Sequence, residues 1–319
     1  MKIAASIGRA TRRTTVMGVA YRTAVPTANA GLVPVVSGAG GKVCRVCGRY
    51  ALRRELEDLV EEFEVDDNTL TGPAADPAAV TRSTNVAPTT TPPVVLERFR
   101  KGEPDAPPTR SLRALRWGLV PSWSKDASGA ARMVNARSET LLDKPAFAAA
   151  ALARRCLVPV DAWYEWQTTA VTGPGGKPLK QPFAVSAADG SVLSLAGVYE
   201  FWQDPARAPE DPARWVVSFA VVTRAAEAGL DRLHERMPLV VPRDLRDAWL
   251  DPSLDDADDV RSLLGAVPHD LFLGGALRAH PVSRRVGDVR DTGEDLLDPV
   301  PLADLAGVVD LRTGEPIGG

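Results

Sequence analysis

Leu157-Val158-Pro159-Val160-Asp161-Ala162-Trp163-Tyr164-Glu165-Trp166 is dense in β-branched and aromatic residues and reads as a strand. Runs of the same character recur at Val94 to Phe99, Leu112 to Leu119, Phe183 to Ser186, Val192 to Tyr199 and Trp215 to Val222, each bounded by turn residues. Gly173-Pro174-Gly175-Gly176-Lys177-Pro178-Leu179-Lys180 has the composition of a hairpin loop. Helical spacing occurs at Leu52, Leu56, Leu59, Val60 and Phe63, with acids on the opposite face, and Arg243 to Leu250 reads as a short helix stopped by Pro252. Short strands with helices outside βαβ order, and no repeat, predict an α+β fold. Its core is a largely antiparallel sheet, barrel-like, with peripheral short helices.

Composition bounds the class. The chain has 319 residues, 45% hydrophobic and 25% charged, as a globular protein does. It contains no apolar run of about 18 residues, so no membrane association is expected. Cys44, Cys47 and Cys156 do not make a disulfide framework, and the expected compartment is the cytoplasm, with nucleoid association when DNA is engaged. A metal held by Cys44-Arg45-Val46-Cys47 lacks a second ligand pair, and no cofactor is expected.

Residues 1–45 carry seven Lys or Arg and no acid, so the rest of the chain holds a charge of −10 within the net −3. An acidic protein that binds DNA must gather its arginines on one face. The first 45 residues show no sustained period and read as a non-domain extension. They fit a mis-called start, a targeting segment or a cleaved propeptide. Residues 46–287 read as the domain, Asp66 to Arg82 as a loop inserted in it, and 288–319 as an acidic, loosely packed tail.

Cys47 is the residue on which chemistry turns. If Val46 is the true initiator, removal of the resulting Met leaves Cys47 at the N-terminus, with an α-amine and a thiol on one residue. The amine can condense with an aldehyde, and the thiol can then close a five-membered thiazolidine. Glu165, between Trp163, Tyr164 and Trp166, is expected to be partly desolvated and suited to moving protons. His234, unlike His269 and His280, sits in a motif and can exchange protons near neutrality. Asn135 can hydrogen-bond a sugar hydroxyl. Arg49, Arg137 and Arg236 can bridge phosphates, and Trp117 and Trp123, either side of a Gly/Pro turn, can stack on bases.

Seven motifs stand in order: Cys47-Gly48-Arg49-Tyr50, Asn85-Val86-Ala87-Pro88-Thr89, Trp117-Gly118-Leu119-Val120-Pro121-Ser122-Trp123, Asn135-Ala136-Arg137-Ser138-Glu139-Thr140, Trp163-Tyr164-Glu165-Trp166, Ala196-Gly197-Val198-Tyr199-Glu200 and His234-Glu235-Arg236-Met237-Pro238. The series resembles the SOS response-associated peptidase (SRAP) family, which includes abasic-site processing proteins. It covers about residues 46–285.

The resemblance implies a covalent crosslink between an N-terminal Cys and abasic sites in single-stranded DNA, which shields the lesion. It supports Val46 as the start. It assigns amine positioning and proton transfer to Glu165, sugar-ring opening and reversal to His234, and a site hydrogen bond to Thr223. A monomer acting on single-stranded DNA is expected. Where the family pattern has a polar residue after Val286, this chain has Gly287. Two other readings stay open: a thiol peptidase or autopeptidase with Cys47 as nucleophile and His234 as base, and a non-covalent single-strand binding module.

Overall fold

The computed structural model describes residues 48–71, 79–100, 102, 106–173 and 175–317. Cys47, the 1–45 extension and part of the Asp66 to Arg82 loop lie outside the described residues. The strands, in chain order, are β1 (Tyr50–Leu52), β2 (Asp67–Asn68), β3 (Ser83–Val86), β4 (Pro93–Arg98), β5 (Thr109–Ala114), β6 (Arg116–Trp117), β7 (Asn135–Arg137) and β8 (Arg155–Val160). They continue as β9 (Ala162–Thr172), β10 (Pro178–Ala187), β11 (Leu193–Gln203), β12 (Trp215–Ala225), β13 (Arg236–Pro238), β14 (Leu277–Pro281), β15 (Val308–Val309) and β16 (Pro316–Ile317). The α-helices are short: α1 (Leu56–Glu62), α2 (Ala148–Ala153), α3 (Arg246–Leu250) and α4 (Ala257–Ala266). The fold is α+β, mostly antiparallel strands with few helices. No helix among the described residues is long and apolar enough to cross a membrane.

The run at 157–166 is two strands, not one. β8 lies in a nine-stranded sheet, ordered β13-β12-β11-β8-β4-β5-β2 with β6 and β7 also paired to β12, and β9 in a five-stranded sheet, β14-β10-β9-β1-β3. Asp161 is the corner between them. Its N–H donates to the Ala51 carbonyl at 2.8 Å and its carboxylate accepts from Arg54 Nε at 2.9 Å. Composition alone does not mark this corner, because both strands are buried and equally apolar.

The larger sheet rolls. The β5–β6 run pairs with β4 along Thr109–Ala114 and then, in parallel, with β12 at Ser218↔Arg116 and Phe219↔Trp117. The two sheets pack through aromatics: the Tyr50 ring lies 5.2 Å from Trp117, which stacks on Phe219 at 6.2 Å and 10°. β9 and β10 form a hairpin, but its connection is shorter than the expected Gly173 to Lys180 loop: Pro178, Leu179 and Lys180 already belong to β10, which pairs with β9 from Pro178↔Thr172.

Two expectations are corrected. Leu52 belongs to β1 rather than to the first helix, because its backbone pairs with Ser83 of β3. The segment from Asp288 is not loosely packed: Leu296, Leu305, Val308 and Leu311 are buried, and Gln167 of β9 exchanges hydrogen bonds with the Val309 backbone at 2.8 and 3.1 Å. Four of its acids, Asp288, Asp291, Glu294 and Asp295, precede the first of these apolar anchors, so the segment opens with the composition of a loose tail.

Candidate functional site

The β1–β9 register sets Tyr50 opposite Trp163 and Ala51 opposite Ala162, and the Tyr164 N–H donates to the Arg49 carbonyl at 2.9 Å. The Arg49 carbonyl thus lies one position along β9 from Glu165. Glu165 shares a face with Trp163, whose ring belongs to the main core, whereas Tyr164 points to the other side with Ala51, Ala162 and Ala184. Glu165 is only 5% exposed, so its carboxyl is withdrawn from water.

Asn135 and Arg137 come from β7, which runs parallel to β12 with Asn135 at Val221 and Arg137 at Thr223. On the opposite edge of β12, β13 pairs Thr223 with Pro238 and Ala225 with Arg236. One strand end therefore draws together two motifs about 100 residues apart in sequence. Thr223 is buried between them and its hydroxyl donates to the Ala136 carbonyl at 3.4 Å.

His234 precedes β13 and is half-buried. Its Nδ1 accepts the Arg236 N–H at 3.0 Å, so in the neutral ring the proton sits on Nε2. Burial pushes the imidazole below its ordinary value, and the nearby Glu235 carboxylate opposes that only in part. The Lys180 and Arg236 charges also lower it.

An open groove of about 400 Å³ adjoins Asn135 and is lined by Trp123, Arg137, Thr140, Lys144 and Phe147. Trp123 is 64% exposed there and Arg137 is exposed. Lys144 was not anticipated from sequence. It stands outside the recognised motifs, and only its neighbouring Pro145 hints at a fixed turn.

Other expected contacts are placed differently. Trp117 offers no stacking face: it is fully buried, with its indole N–H on the Val134 carbonyl at 3.0 Å. Gly118 explains the divergence from Trp123. Its φ of +121° turns the chain out of the sheet where a Cβ would meet the Ala130 carbonyl oxygen at 2.8 Å.

Arg49 is half-buried, with Nη1 on Asn85 Oδ1 at 2.8 Å and on the Val286 carbonyl at 2.7 Å, and burial lowers its pKa. Arg236 makes a fork onto Glu139 at 2.6 and 2.8 Å and donates to the Thr223 carbonyl at 2.6 Å. That fork holds the Glu139 pKa down. Both arginines hold the walls of the site in place.

Asn85, quoted in a motif but given no role from sequence, is a buried clamp. Its amide donates to the carbonyls of Asp288 at 2.9 Å and Asp291 at 2.7 Å.

Comparison with known proteins gives the fold and the family. A solved protein from Bacteroides thetaiotaomicron has the same fold, with a TM-score of 0.62 over 80% of this chain and 100% of its own, at 19% identity. Residues 46–289 match the family model described as SOS response associated peptidase (SRAP), and the chain belongs to that family. Among its relatives, the abasic site processing protein YedK of Escherichia coli is 30% identical over 261 residues, 80% of this chain and 100% of that protein. YoqW of Bacillus subtilis, of the same description, is 29% identical over 253 residues, 79% of this chain and 99% of its own. The mouse protein HMCES, also described as an abasic site processing protein, is 26% identical over 256 residues, 71% and 67% of the two chains.

Proposed function

We propose that this protein processes abasic sites by covalent capture in single-stranded DNA, with Cys47 acting as the N-terminal residue. The observation that carries the reading is the Tyr164 N–H on the Arg49 carbonyl at 2.9 Å, two residues along the chain from Cys47 and one along β9 from the buried Glu165. An amine placed there meets a desolvated carboxyl suited to proton transfer. The Cys47 α-amine adds to the C1′ aldehyde of the ring-opened sugar, and the carbinolamine loses water to give an imine. The thiol then adds across the C=N bond, its sulfur bonding to C1′ and its proton passing to nitrogen. The product is a thiazolidine, and one water is released overall.

Glu165 accepts and returns the proton on the amine and the departing hydroxyl. His234, neutral with its proton on Nε2, opens the sugar hemiacetal. Asn135 holds a sugar hydroxyl. Trp123 stacks on a base beside the lesion, and Arg137 and Lys144 bind flanking phosphates. Arg49, Trp117, Thr223 and Arg236 act behind this surface. A lyase-like step at the lesion and thiol peptidase activity at Cys47 are further activities the same residues would carry.

The test is a denaturing gel of protein expressed with Met in place of Val46, mixed with a single-stranded oligonucleotide bearing one abasic site. A heat-stable shifted band, lost in Cys47→Ala and in a variant with one residue added before Cys47, is expected. Absence of the band from protein whose intact mass shows a free N-terminal Cys47 would sink covalent capture and favour the peptidase or simple binder.

A further inference from the structure

The roll of the nine-stranded sheet leaves a second cavity at its mouth. It measures about 280 Å³ and is lined by Leu96 and Arg98 of β4, Arg113 of β5, Leu115, Phe201 of β11 and Val217 of β12. It shares no lining residue with the groove at Trp123 and Lys144. Mouths of rolled sheets are common places for small ligands, with an apolar floor and a few placed polar groups.

The polar groups here are two cations on adjacent strands. Arg98 is exposed and has no carboxylate within ion-pair distance among the described residues. Arg113 is half-buried, its nearest carboxylate is the half-exposed Asp67 at 3.9 Å, and its Nε is buried without a hydrogen-bond partner. Burial and the neighbouring Arg98 charge both work against the Arg113 cation. Like charges gathered beside apolar surface, one of them partly desolvated, are costly unless an anion joins them.

We infer that the mouth is an anion site for a nucleotide phosphate, with Arg98 and Arg113 holding the phosphate and the half-buried Phe201 and Val217 as the floor that meets the sugar or base. A bare phosphate would leave that floor unused. The phosphate can belong to a free mononucleotide or to the DNA strand, and the two sources are distinguishable. The inference does not depend on capture through Cys47.

The experiment is calorimetric titration of the full chain with inorganic phosphate, adenosine monophosphate, and intact single strands of about 5 and about 20 nucleotides, lengths bracketing what single-strand folds cover. Wild type is expected to bind the mononucleotide more tightly than phosphate if the source is free, or the longer strand more tightly than the shorter if the source is the strand. Arg98→Gln, an exposed position that leaves the melting temperature unchanged, and Arg113→Lys, which keeps the charge but removes the Nε donor, should each weaken the favoured ligand about tenfold. The shorter strand should bind the variants as it binds wild type. If wild type and Arg98→Gln give the same titrations for every probe, the site does not exist. If the abasic-site gel fails while these titrations succeed, covalent capture falls and the phosphate site stands.

Discussion

Trp117 and Trp123 stand six residues apart on either side of one turn, yet the first is fully buried and the second is 64% exposed. The difference comes from backbone pairing rather than from side-chain type. Trp117 belongs to a strand hydrogen-bonded to β12, so its ring must enter the layer between the sheets. Past Gly118 the chain leaves that ladder, and Trp123 is carried to the surface of the groove beside Asn135. The same division runs through the rest of the site: Thr223, Arg49 and Arg236 are tied into the protein, whereas Trp123, Arg137 and Lys144 face the open groove.

The largest effect expected from this contrast is on stability. Trp117→Ala should lower the unfolding free energy by about 3–5 kcal/mol, through lost burial and the cavity left behind. Trp123→Ala should stay within about 0.5 kcal/mol of wild type. Urea denaturation of the two variants checks this, and equal losses would erase the distinction between the tryptophans.

Next comes the clamp. Asn85→Ala leaves the Asp291 carbonyl and one Arg49 donor without their Asn85 partner and the Asp288 carbonyl with only the Asp291 N–H, at a cost of about 1–3 kcal/mol. The loss should be local first, with faster amide exchange at Asp288 to Asp291 than in β9. Uniform exchange across the protein would mean that the C-terminal segment is not held through Asn85.

On the groove side the effect falls on binding. Trp123→Ala should weaken single-stranded DNA by about 1–3 kcal/mol with no change in salt dependence. Arg137→Gln should reduce the slope of log affinity against log salt by about 0.7. Fluorescence anisotropy across a salt series measures both. If Arg236→Gln reduced the slope as Arg137→Gln does, the Glu139 fork would have to open on DNA.

Much of this was legible before the structure. Strand character at Trp215 to Val222, the hairpin after β9 and the ordering of the motifs all lie in local composition and spacing. What stayed hidden is non-local. Asp161 looks like one polar residue in an apolar run, and only the pairing of β8 and β9 in different sheets shows that it turns a corner. Trp117 and Trp123 look alike until the β6–β12 pairing separates them. Arg236 reads as a free cation until Glu139, 97 positions away, meets it. Lys144 joins the groove because the chain after β7 folds back beside Asn135, which no period in the sequence records.

The smallest effect concerns His234, which lies between the two kinds of position, half-buried yet beside the site. Its folded-state pKa is below the ordinary 6.5, chiefly through burial. The unfolded chain therefore binds more protons as pH falls through that value, so wild-type stability should decline there relative to His234→Gln, with no difference above it. The neutral ring should also persist to lower pH than an ordinary histidine allows, carrying capture into mildly acidic solution before it falls away. An NMR titration of the imidazole carbon reads the midpoint directly. A value at or above the ordinary one would mean that the Glu235 carboxylate outweighs burial, and that His234 belongs with the exposed groove rather than with the held interior.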